Sequence, residues 1–213
     1  MAQRSALGRG FFARPATVVA QELLGCLVSH AGVTVRLTET EAYAGERDPG
    51  SHAFRGRTPR TAVMFGPAGF LYVYFTYGNH WCVNLVTGSD GAAEAVLLRG
   101  GAVVEGHDLA AARRPGVRER DWCRGPGRLT RTLDLDGRHT GLDVCRPPLG
   151  EPADVLVWSP DPAVDPARLR AGPRVGVSGP GGDGEAFPWR FWLADEPTVS
   201  AYRPGTVRRR SRT

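Results

Sequence analysis

The sequence predicts a single α+β domain dominated by antiparallel strands, and three observations support this fold class. With 213 residues and 41% hydrophobic content, the chain can bury one substantial core and hardly two. Its 28 glycines and 17 prolines make up about a fifth of the residues, which is typical of short strands joined by many turns. Several strand-like stretches also follow one another directly. We therefore expect one domain over residues 1–213, with its core at about 11–193 and mobile tails at 1–10 and 205–213.

The first half of the chain is predicted to hold one helix followed by four strands. Residues 11–28 are typical of a loop leading into a helix, because Pro15 suits a first helical turn and apolar residues recur from Val19 at helical spacing. Gly78 and Asn79 fit a tight hairpin turn between the second and third strands. The predicted strands are Gly32–Tyr43, Gly69–Thr76, Trp81–Thr87 and Ala92–Leu98.

The second half is predicted to hold fewer regular elements. A short helix is expected at 106–114, and two final strands are expected at 173–177 and 188–193. Between them, residues 146–173 are rich in proline and acidic side chains, which indicates a surface excursion. The Gly-x-Gly-x-x-Gly spacing at 179–184 is interpreted as a turn, since no helix follows it.

The charge of the chain favours a polyanionic partner. Its formal net charge is +5 and its pI is about 9.4. All 27 basic residues of the Lys+Arg count are arginines, a bias that the codon usage of a GC-rich genome would explain. The chemical consequence holds whatever the cause. Without lysine, no side chain can form an imine with an opened sugar or serve as a Walker-A lysine.

Several other classes of function are disfavoured by what the sequence lacks. The four cysteines form no Cys-x-x-Cys pair and are expected to be reduced structural thiols, so neither a metal nor another cofactor is expected. No apolar window approaches the roughly 18 residues of a membrane span, and the first residues lack a secretory h-region. These features predict a cytoplasmic protein without membrane contact. The zinc-deaminase signature and a convincing catalytic triad are also missing.

The first predicted strand carries the most informative pattern. If it is regular, its alternate residues from Val33 through Leu37 to Glu39, Glu41 and Tyr43 share one face, which begins apolar and ends with two carboxylates. One hypothesis is that the strand simply emerges into solvent. The other is that a carboxylate lies partly desolvated in a cleft, where burial raises a carboxyl pKa and makes the group a better general base.

Two further segments suggest contact with nucleic acid. Tyr77 comes directly before the predicted turn, where a large aromatic side chain could protrude as a minor-groove wedge or pack against a neighbouring loop. The loop at 48–60 carries three arginines, among them Arg60, which suit contacts to phosphates. His52 in the same loop is either an ordinary solvated histidine or part of a site. Tyr72 is expected to pack in the core.

A set of short motifs follows in order along the chain: Glu39–Tyr43, Ser51-His52, Thr58–Arg60, Met64-Phe65, Leu71–Tyr74, Tyr77-Gly78, Cys82–Asn84, Ala95–Arg99, Gly125–Leu129 and Arg174–Val177. Taken together, they resemble the alkyladenine (3-methyladenine) DNA glycosylase family. The resemblance extends from about Phe11 to Trp192 and implies a compact single domain built on a curved, open-barrel-like antiparallel sheet flanked by helices. It departs from the family pattern at Asn79, and residues 146–173 align with nothing familiar.

The resemblance also implies roles for individual residues. Glu41 matches the residue that deprotonates the attacking water, and Arg99 matches the arginine that helps to hold that water. Tyr77 matches the side chain inserted where the damaged base has left the helix, and Arg114 aligns less securely with a contact to the DNA backbone. The remaining matches surround the flipped base, with an aromatic pocket and an amide that crowds the amine of normal guanine: Tyr43, His52, Tyr74 and Asn84.

The implied function is base excision by a monofunctional glycosylase that acts as a monomer on double-stranded DNA containing damaged purines, with no cofactor and no obligatory protein partner. Two alternatives remain at this point. Glu39 and Glu41 could form the carboxylate pair of a carbohydrate hydrolase, or the chain could be a non-catalytic nucleic-acid-binding module. Intact Glu41 and Arg99 argue against the second alternative. For Glu39 we favour a structural role.

Overall fold

The computed structural model describes residues 5–76, 78–145, 155–160 and 163–206. Eight strands and four short α-helices make up its regular structure, together with isolated 3-10 turns. The helices are α1 Arg9–Phe12, α2 Ala16–Glu22, α3 His107–Arg113 and α4 Pro126–Thr132. The strands are β1 Leu27–His30, β2 Val33–Ala44, β3 Leu71–Thr76, β4 His80–Thr87, β5 Glu94–Glu105, β6 Leu156–Trp158, β7 Leu169–Gly172 and β8 Arg190–Leu193. The 3-10 turns are Gly45–Arg47, Ala62–Phe65, Glu119–Asp121, Gly137–His139, Pro166–Arg168 and Pro180–Gly182.

All eight strands belong to one antiparallel sheet. Its main path runs β3-β4-β5-β2-β1-β6, while β8 pairs with β2 and also with β7. The sheet is curved and does not close, and the helices pack around it, which confirms the predicted α+β fold with its open-barrel-like sheet. The predicted hairpin between β3 and β4 is also confirmed, because Thr76 pairs with His80 across the turn.

The main core lies between the sheet and helices α2 and α4. Val19 of α2, Leu23 directly after this helix and Leu129 of α4 are fully buried against strand residues such as Leu37 and Leu98. Fully burying a side chain of this size contributes about 1.5–3 kcal/mol relative to leaving it in water. A second, smaller apolar cluster lies apart from this core and includes Ala53, Met64, Tyr72, Val86, Ala93 and Ala95.

Strand β2 is not regular, so the prediction that its alternate residues share one face was wrong. Opposite β5, Leu37 pairs with Gly101, Glu39 with Gly100, and Thr40 with Leu98. Two of the register shifts leave Thr38 as an extra residue on β2 and Arg99 as an extra residue on β5, which is how a β-bulge re-aims side chains. A third shift, between Thr34 and Val35, leaves Val104 as an extra residue near the end of β5.

The extra residue Thr38 changes which side chains of β2 face the main core. Val33, Val35 and Leu37 point into the main core, but beyond the bulge it is Thr40 and Ala42 that do so. The Thr40 hydroxyl donates to the carbonyl of Ala20 in α2, at 2.8 Å. Glu39, Glu41 and Tyr43 are thereby turned to the opposite side of the sheet, away from the helices.

Other elements differ from their predicted bounds. The predicted helix over 11–28 ends at Glu22 in the structure, and β1 follows after Gly25, whose φ of +83° suits glycine. Residues 173–177 form no strand, because their side chains and backbone serve buried contacts that are described below, and β7 precedes them instead. Strand β5 is longer than predicted, and helix α4 and strands β1 and β6 were missed.

Parts of the predicted surface excursion and of both predicted tails lie outside the described residues. Within the described part, β6 belongs to the sheet and residue Leu7 donates its backbone N–H to the carbonyl of Val157 at 2.8 Å. In the part of the chain that the structure describes, no helix has the length and apolar character needed to cross a membrane.

Candidate active site

A cavity of about 660 Å³ opens on the side of the sheet that faces away from α2. Its floor is formed by the cavity-facing residues of β2, β3, β4 and β5. Its rim is formed by two loops, at 49–52 and 175–178, and by the start of α4 with the residues before it, at 124–128. Six of the sequence-predicted site residues line it: Glu41, Tyr43, His52, Tyr74, Asn84 and Arg99.

The carboxylate of Glu41 is held by two donors and lies close to a third. Its Oε1 accepts the backbone N–H of Val175 at 2.7 Å, and its Oε2 accepts the hydroxyl of Tyr43 at 2.9 Å. The Nε of Arg99 lies 3.5 Å from Oε1. Glu41 is 0% exposed, so its charge is shielded from bulk water, and its orientation is fixed by these contacts. A carboxylate fixed in this way is suited to act as a general base toward a molecule in the cavity.

Arg99 connects Glu41 to Glu39. Its Nε donates to Glu39 Oε1 at 2.9 Å, and its Nη2 lies 3.3 Å from the hydroxyl of Ser200. Burial works against the charge of Arg99, but the carboxylates of Glu41 and Glu39 more than offset this and raise the pKa of its guanidinium. Arg99 therefore remains a cation at the wall of the cavity.

Glu39 is saturated by neighbouring donors and does not line the cavity. Besides Arg99, its carboxylate accepts the Nε of Arg190 at 2.7 Å and both the backbone N–H and the hydroxyl of Ser200, at 2.7 and 2.9 Å. These contacts use its acceptor positions for holding Arg99 and the chain near Ser200 in place.

Aromatic side chains form another wall of the cavity. The rings of Tyr72 and Tyr74 stack at 5.4 Å between centroids, and the His52 ring meets the Tyr74 ring edge-on at 4.5 Å. Nδ1 of His52 lies 3.1 Å from the Tyr72 hydroxyl. The expectation that Tyr72 packs in the core is confirmed, since it is 2% exposed, but the residue also lines the cavity.

The three tyrosines stay protonated at neutral pH. Burial raises the pKa of Tyr43 well above its usual range, and the nearby charge of Glu41 acts in the same direction. Burial also raises the pKa of Tyr74, with further contributions from Cys82 and Glu41. The pKa of Tyr72 is raised by burial as well, although Arg60 opposes the shift. The wall therefore presents neutral rings whose hydroxyl groups can donate hydrogen bonds.

His52 is expected to be neutral throughout the physiological range. The surrounding protein atoms and the positive charge of Arg60 lower its pKa from 6.5 to about 4. An NMR titration of the imidazole of His52 should therefore show a midpoint near pH 4. The variant Arg60→Gln should shift that midpoint upward but keep it below 6.5, because the desolvation remains. A midpoint at the ordinary value in the native protein would contradict this electrostatic picture.

Asn84 is fixed in the floor of the cavity between β3 and β5. It is 4% exposed, and its Nδ2 donates to the carbonyl of Tyr72 at 3.0 Å. The amide therefore has a defined orientation and can limit the shape of a bound molecule.

The predicted DNA contacts are placed differently from the six cavity residues. Arg60 is exposed beside the aromatic wall, with its guanidinium carbon 5.4 Å from the centroid of Tyr74. Arg114 lies away from the cavity, half-buried near Arg128 and Arg131, and burial together with these charges lowers the pKa of its guanidinium. Tyr77 lies outside the described residues.

A buried ion pair behind the cavity was missed by the sequence analysis. Arg174 is 1% exposed and pairs in bidentate fashion with Asp48, at 2.5 and 2.7 Å. Arg174 also donates to the carbonyls of Ala42 and Gly181, and its guanidinium lies 4.5 Å from the centroid of the Tyr43 ring. The pair thus ties β2 to the loop that carries Val175, the donor to Glu41. An arginine within an otherwise small and apolar stretch was the only signal in the sequence.

Two arginines at the rim were also missed as individual residues. Arg124 lies in the segment that leads into α4 and Arg128 in the first turn of α4, and both border the cavity together with Gly125–Gly127. Asp121 lies 3.5 Å from Arg124 and 3.7 Å from Arg128, so one carboxylate faces two cations and the rim keeps an excess of positive charge. Such an excess attracts a phosphate backbone.

The sequence profile of the family described as methylpurine-DNA glycosylase matches residues 10–197 of this chain. The chain belongs to the methylpurine-DNA glycosylase family. Membership makes it a DNA glycosylase, a hydrolase of N-glycosyl bonds in the repair of DNA, and confirms the resemblance seen in the sequence.

Curated relatives of this methylpurine-DNA glycosylase cover almost the whole chain. A protein from Streptomyces avermitilis is 50% identical over 212 residues, which span 97% of this chain and 96% of the relative. One from Frankia casuarinae is 49% identical over 202 residues, with coverage of 92% and 93%. One from Nocardia farcinica is 51% identical over 195 residues, with coverage of 86% and 85%. All three carry the provisional name 3-methyladenine DNA glycosylase.

Proposed function

We propose that this protein flips alkylated or deaminated purines out of duplex DNA and hydrolyses their N-glycosidic bond with a water activated by Glu41. The observation that carries the proposal is the arrangement of one buried, oriented carboxylate and Arg99 at the wall of a cavity lined by aromatic rings. The relatives named as 3-methyladenine DNA glycosylases support the choice of substrate class.

Recognition of the base would rest on stacking and on charge. A base in a duplex is out of reach of any cavity, so it must rotate out at a cost of a few kcal/mol. Tyr77 is proposed as the residue that fills the gap, with Arg60 and Arg114 contacting phosphates. In the cavity, an alkylated purine carries positive charge and is attracted to the faces of Tyr43 and Tyr74 by about 0.5–2 kcal/mol per favourable cation–π contact. The neutral His52 does not repel it.

For an alkylated purine, which already carries a positive charge, the reaction needs little more than water and a base; a neutral purine such as hypoxanthine must also take up a proton as it leaves. The C1′–N bond breaks as the alkylated purine leaves in its neutral form, and the sugar develops oxocarbenium character. Glu41 accepts a proton from water as the water oxygen bonds to C1′, and its negative charge stabilises the sugar cation. Arg99 would orient the water and the carboxylate. Asn84 would crowd the exocyclic amine of normal guanine and so disfavour it.

The geometry weakens the carbohydrate-hydrolase alternative. That chemistry requires two carboxylates facing one sugar. Here Glu39 is taken up by Arg99, Arg190 and Ser200 and does not line the cavity, so Glu41 faces it without a second glutamate from the same strand.

The product is expected to be an intact strand with an abasic site. The protein is incubated with duplexes that contain 3-methyladenine, 7-methylguanine or hypoxanthine, and half of each sample is then heated in alkali. Because no lysine is present to form an imine with the opened sugar, strand breaks should appear only after alkali.

An undamaged duplex and a heat-inactivated sample serve as controls for this assay. Breaks that appear before alkali treatment would contradict the monofunctional reaction. With all three lesions, breaks after alkali that are no more frequent than in the heat-inactivated sample would contradict the proposed function itself.

A further inference from the structure

The aromatic wall of the cavity is backed by arginines that lie outside the cavity. Arg174 lies over the ring of Tyr43 and Arg60 over the ring of Tyr74, at 4.5 and 5.4 Å from the ring centroids. Neither arginine lines the cavity, whereas both tyrosines do. Each guanidinium therefore contacts a ring of the cavity wall without itself lining the cavity.

The two arginines differ in how their charge is compensated. Arg174 is paired in bidentate fashion with Asp48, so the pair as a whole is neutral. Within the described residues, no carboxylate lies at ion-pair distance from Arg60, and its side chain is exposed. Among the described residues, no carboxylate therefore compensates this cation beside the aromatic wall, and the phosphate contact proposed above would screen its charge only in part.

The field of Arg60 reaches the residues that line the cavity. It contributes to the lowered pKa of His52, and it also acts on Tyr72. Both of these residues line the cavity beside Tyr74. A positively charged base in contact with Tyr74 would experience the same field.

Resting on the proposed function, we propose that Arg60 sets the balance between cationic and neutral purines in the cavity. A cation–π contact between Arg60 and the Tyr74 ring weakens the attraction of the same ring for an alkylated base. The positive charge of Arg60 also repels that base through space. A neutral base such as hypoxanthine carries no net charge for this repulsion to act on. Arg60 therefore weakens the preference for alkylated purines and lets deaminated ones compete.

The test compares the binding of two lesions that differ in charge. Duplexes carry either 7-methylguanine, a fixed cation, or neutral hypoxanthine, each opposite cytosine. In both, the lesion has a 2′-fluoro sugar, which destabilises the oxocarbenium state and so prevents excision. Dissociation constants are measured by anisotropy at pH 6, where N1 of 7-methylguanine keeps its proton, and at constant salt, for the native protein and for Arg60→Gln. The preference for 7-methylguanine is expressed as the dissociation constant of the hypoxanthine duplex divided by that of the 7-methylguanine duplex. Any loss of general DNA affinity cancels in this ratio.

Arg60→Gln should raise the preference for 7-methylguanine by about threefold to tenfold, as expected for removing one partly screened charge beside a cation–π contact. Arg60→Lys keeps the charge and should stay within about twofold of the native ratio. Arg57→Gln removes an exposed arginine of the same loop that has no ring contact, and it should weaken both duplexes equally.

Three results would overturn the assignment of Arg60. The first is a preference for 7-methylguanine in Arg60→Gln that falls, or that stays within twofold of the native value. The second is a change in this preference in Arg60→Lys as large as that in Arg60→Gln. The third is a change of the same size in Arg57→Gln. If instead the native protein binds neither lesion more tightly than an undamaged duplex, the proposed function fails, and the two failures are thereby distinguished.

Discussion

Glu41→Gln is expected to lower the single-turnover rate of base release by roughly 10²–10⁴-fold, the usual contribution of a general base. Glutamine has nearly the same shape but cannot take a proton from water. It also removes the negative charge that would face the developing sugar cation. The aromatic wall and Asn84 are left in place, so binding of a lesion-containing duplex should change little. Excision is measured with enzyme in excess over DNA, and binding by anisotropy.

Glu46→Gln is the matched control for this variant. Glu46 is exposed, lies five residues along the chain in the turn Gly45–Arg47, and does not line the cavity. It should retain the native rate. Full activity of Glu41→Gln would show that another group activates the water and would remove the main argument for the mechanism.

Asp48→Ala is expected to destabilise the protein by about 3–5 kcal/mol, because it leaves the buried guanidinium of Arg174 without its counter-charge. Both partners have fully buried side chains. The Asp48 carboxylate also accepts the backbone N–H groups of Gly50 and Ala44, at 2.8 and 3.2 Å, so two further donors are left unsatisfied. For a domain of this size each kcal/mol lowers Tm by about 2–4 °C. Thermal and urea unfolding would measure the loss.

Glu22→Ala provides the comparison for this buried pair. Glu22 pairs with Arg14 at 2.6 Å, but both side chains are exposed to water. Removing an exposed partner typically costs no more than about 1 kcal/mol. A loss in Asp48→Ala as small as that in Glu22→Ala would mean that water or a structural shift compensates Arg174 in the variant.

The elements with a strong local pattern could be predicted from the sequence. Strands β2, β3 and β4 and the turn at Gly78-Asn79 were found from alternation and turn residues. Helix α3 was also found, within one residue at each end. Helix α4 was missed, although Pro126 stands at its first turn. Strands β1, β6 and β7 have only three or four residues each, too few to show a period.

The residues that line the site were easier to predict than the buried contacts and strand irregularities that position them. Resemblance to the family pointed to six residues that the fold brings to one cavity. No local pattern indicated that Asp48 and Arg174, 126 positions apart, form a buried pair, because such a contact depends on tertiary packing. The bulges in β2 and β5 were equally invisible. A one-residue irregularity is set by pairing with another strand, and a strand read alone is assumed to be regular.

The bulges at Thr38 and Arg99 also allow the sheet to hold the site without a lasting change of register between β2 and β5. Thr38 adds one residue to β2 and Arg99 adds one to β5, so the two shifts cancel and the ladder is in phase on both sides of them. The arginine that contacts Glu41 is itself one of the two extra residues. The pairing of β2 with β5 therefore brings Arg99 against Glu41, while the residue pairs after the bulges keep the register of Val35–Leu37.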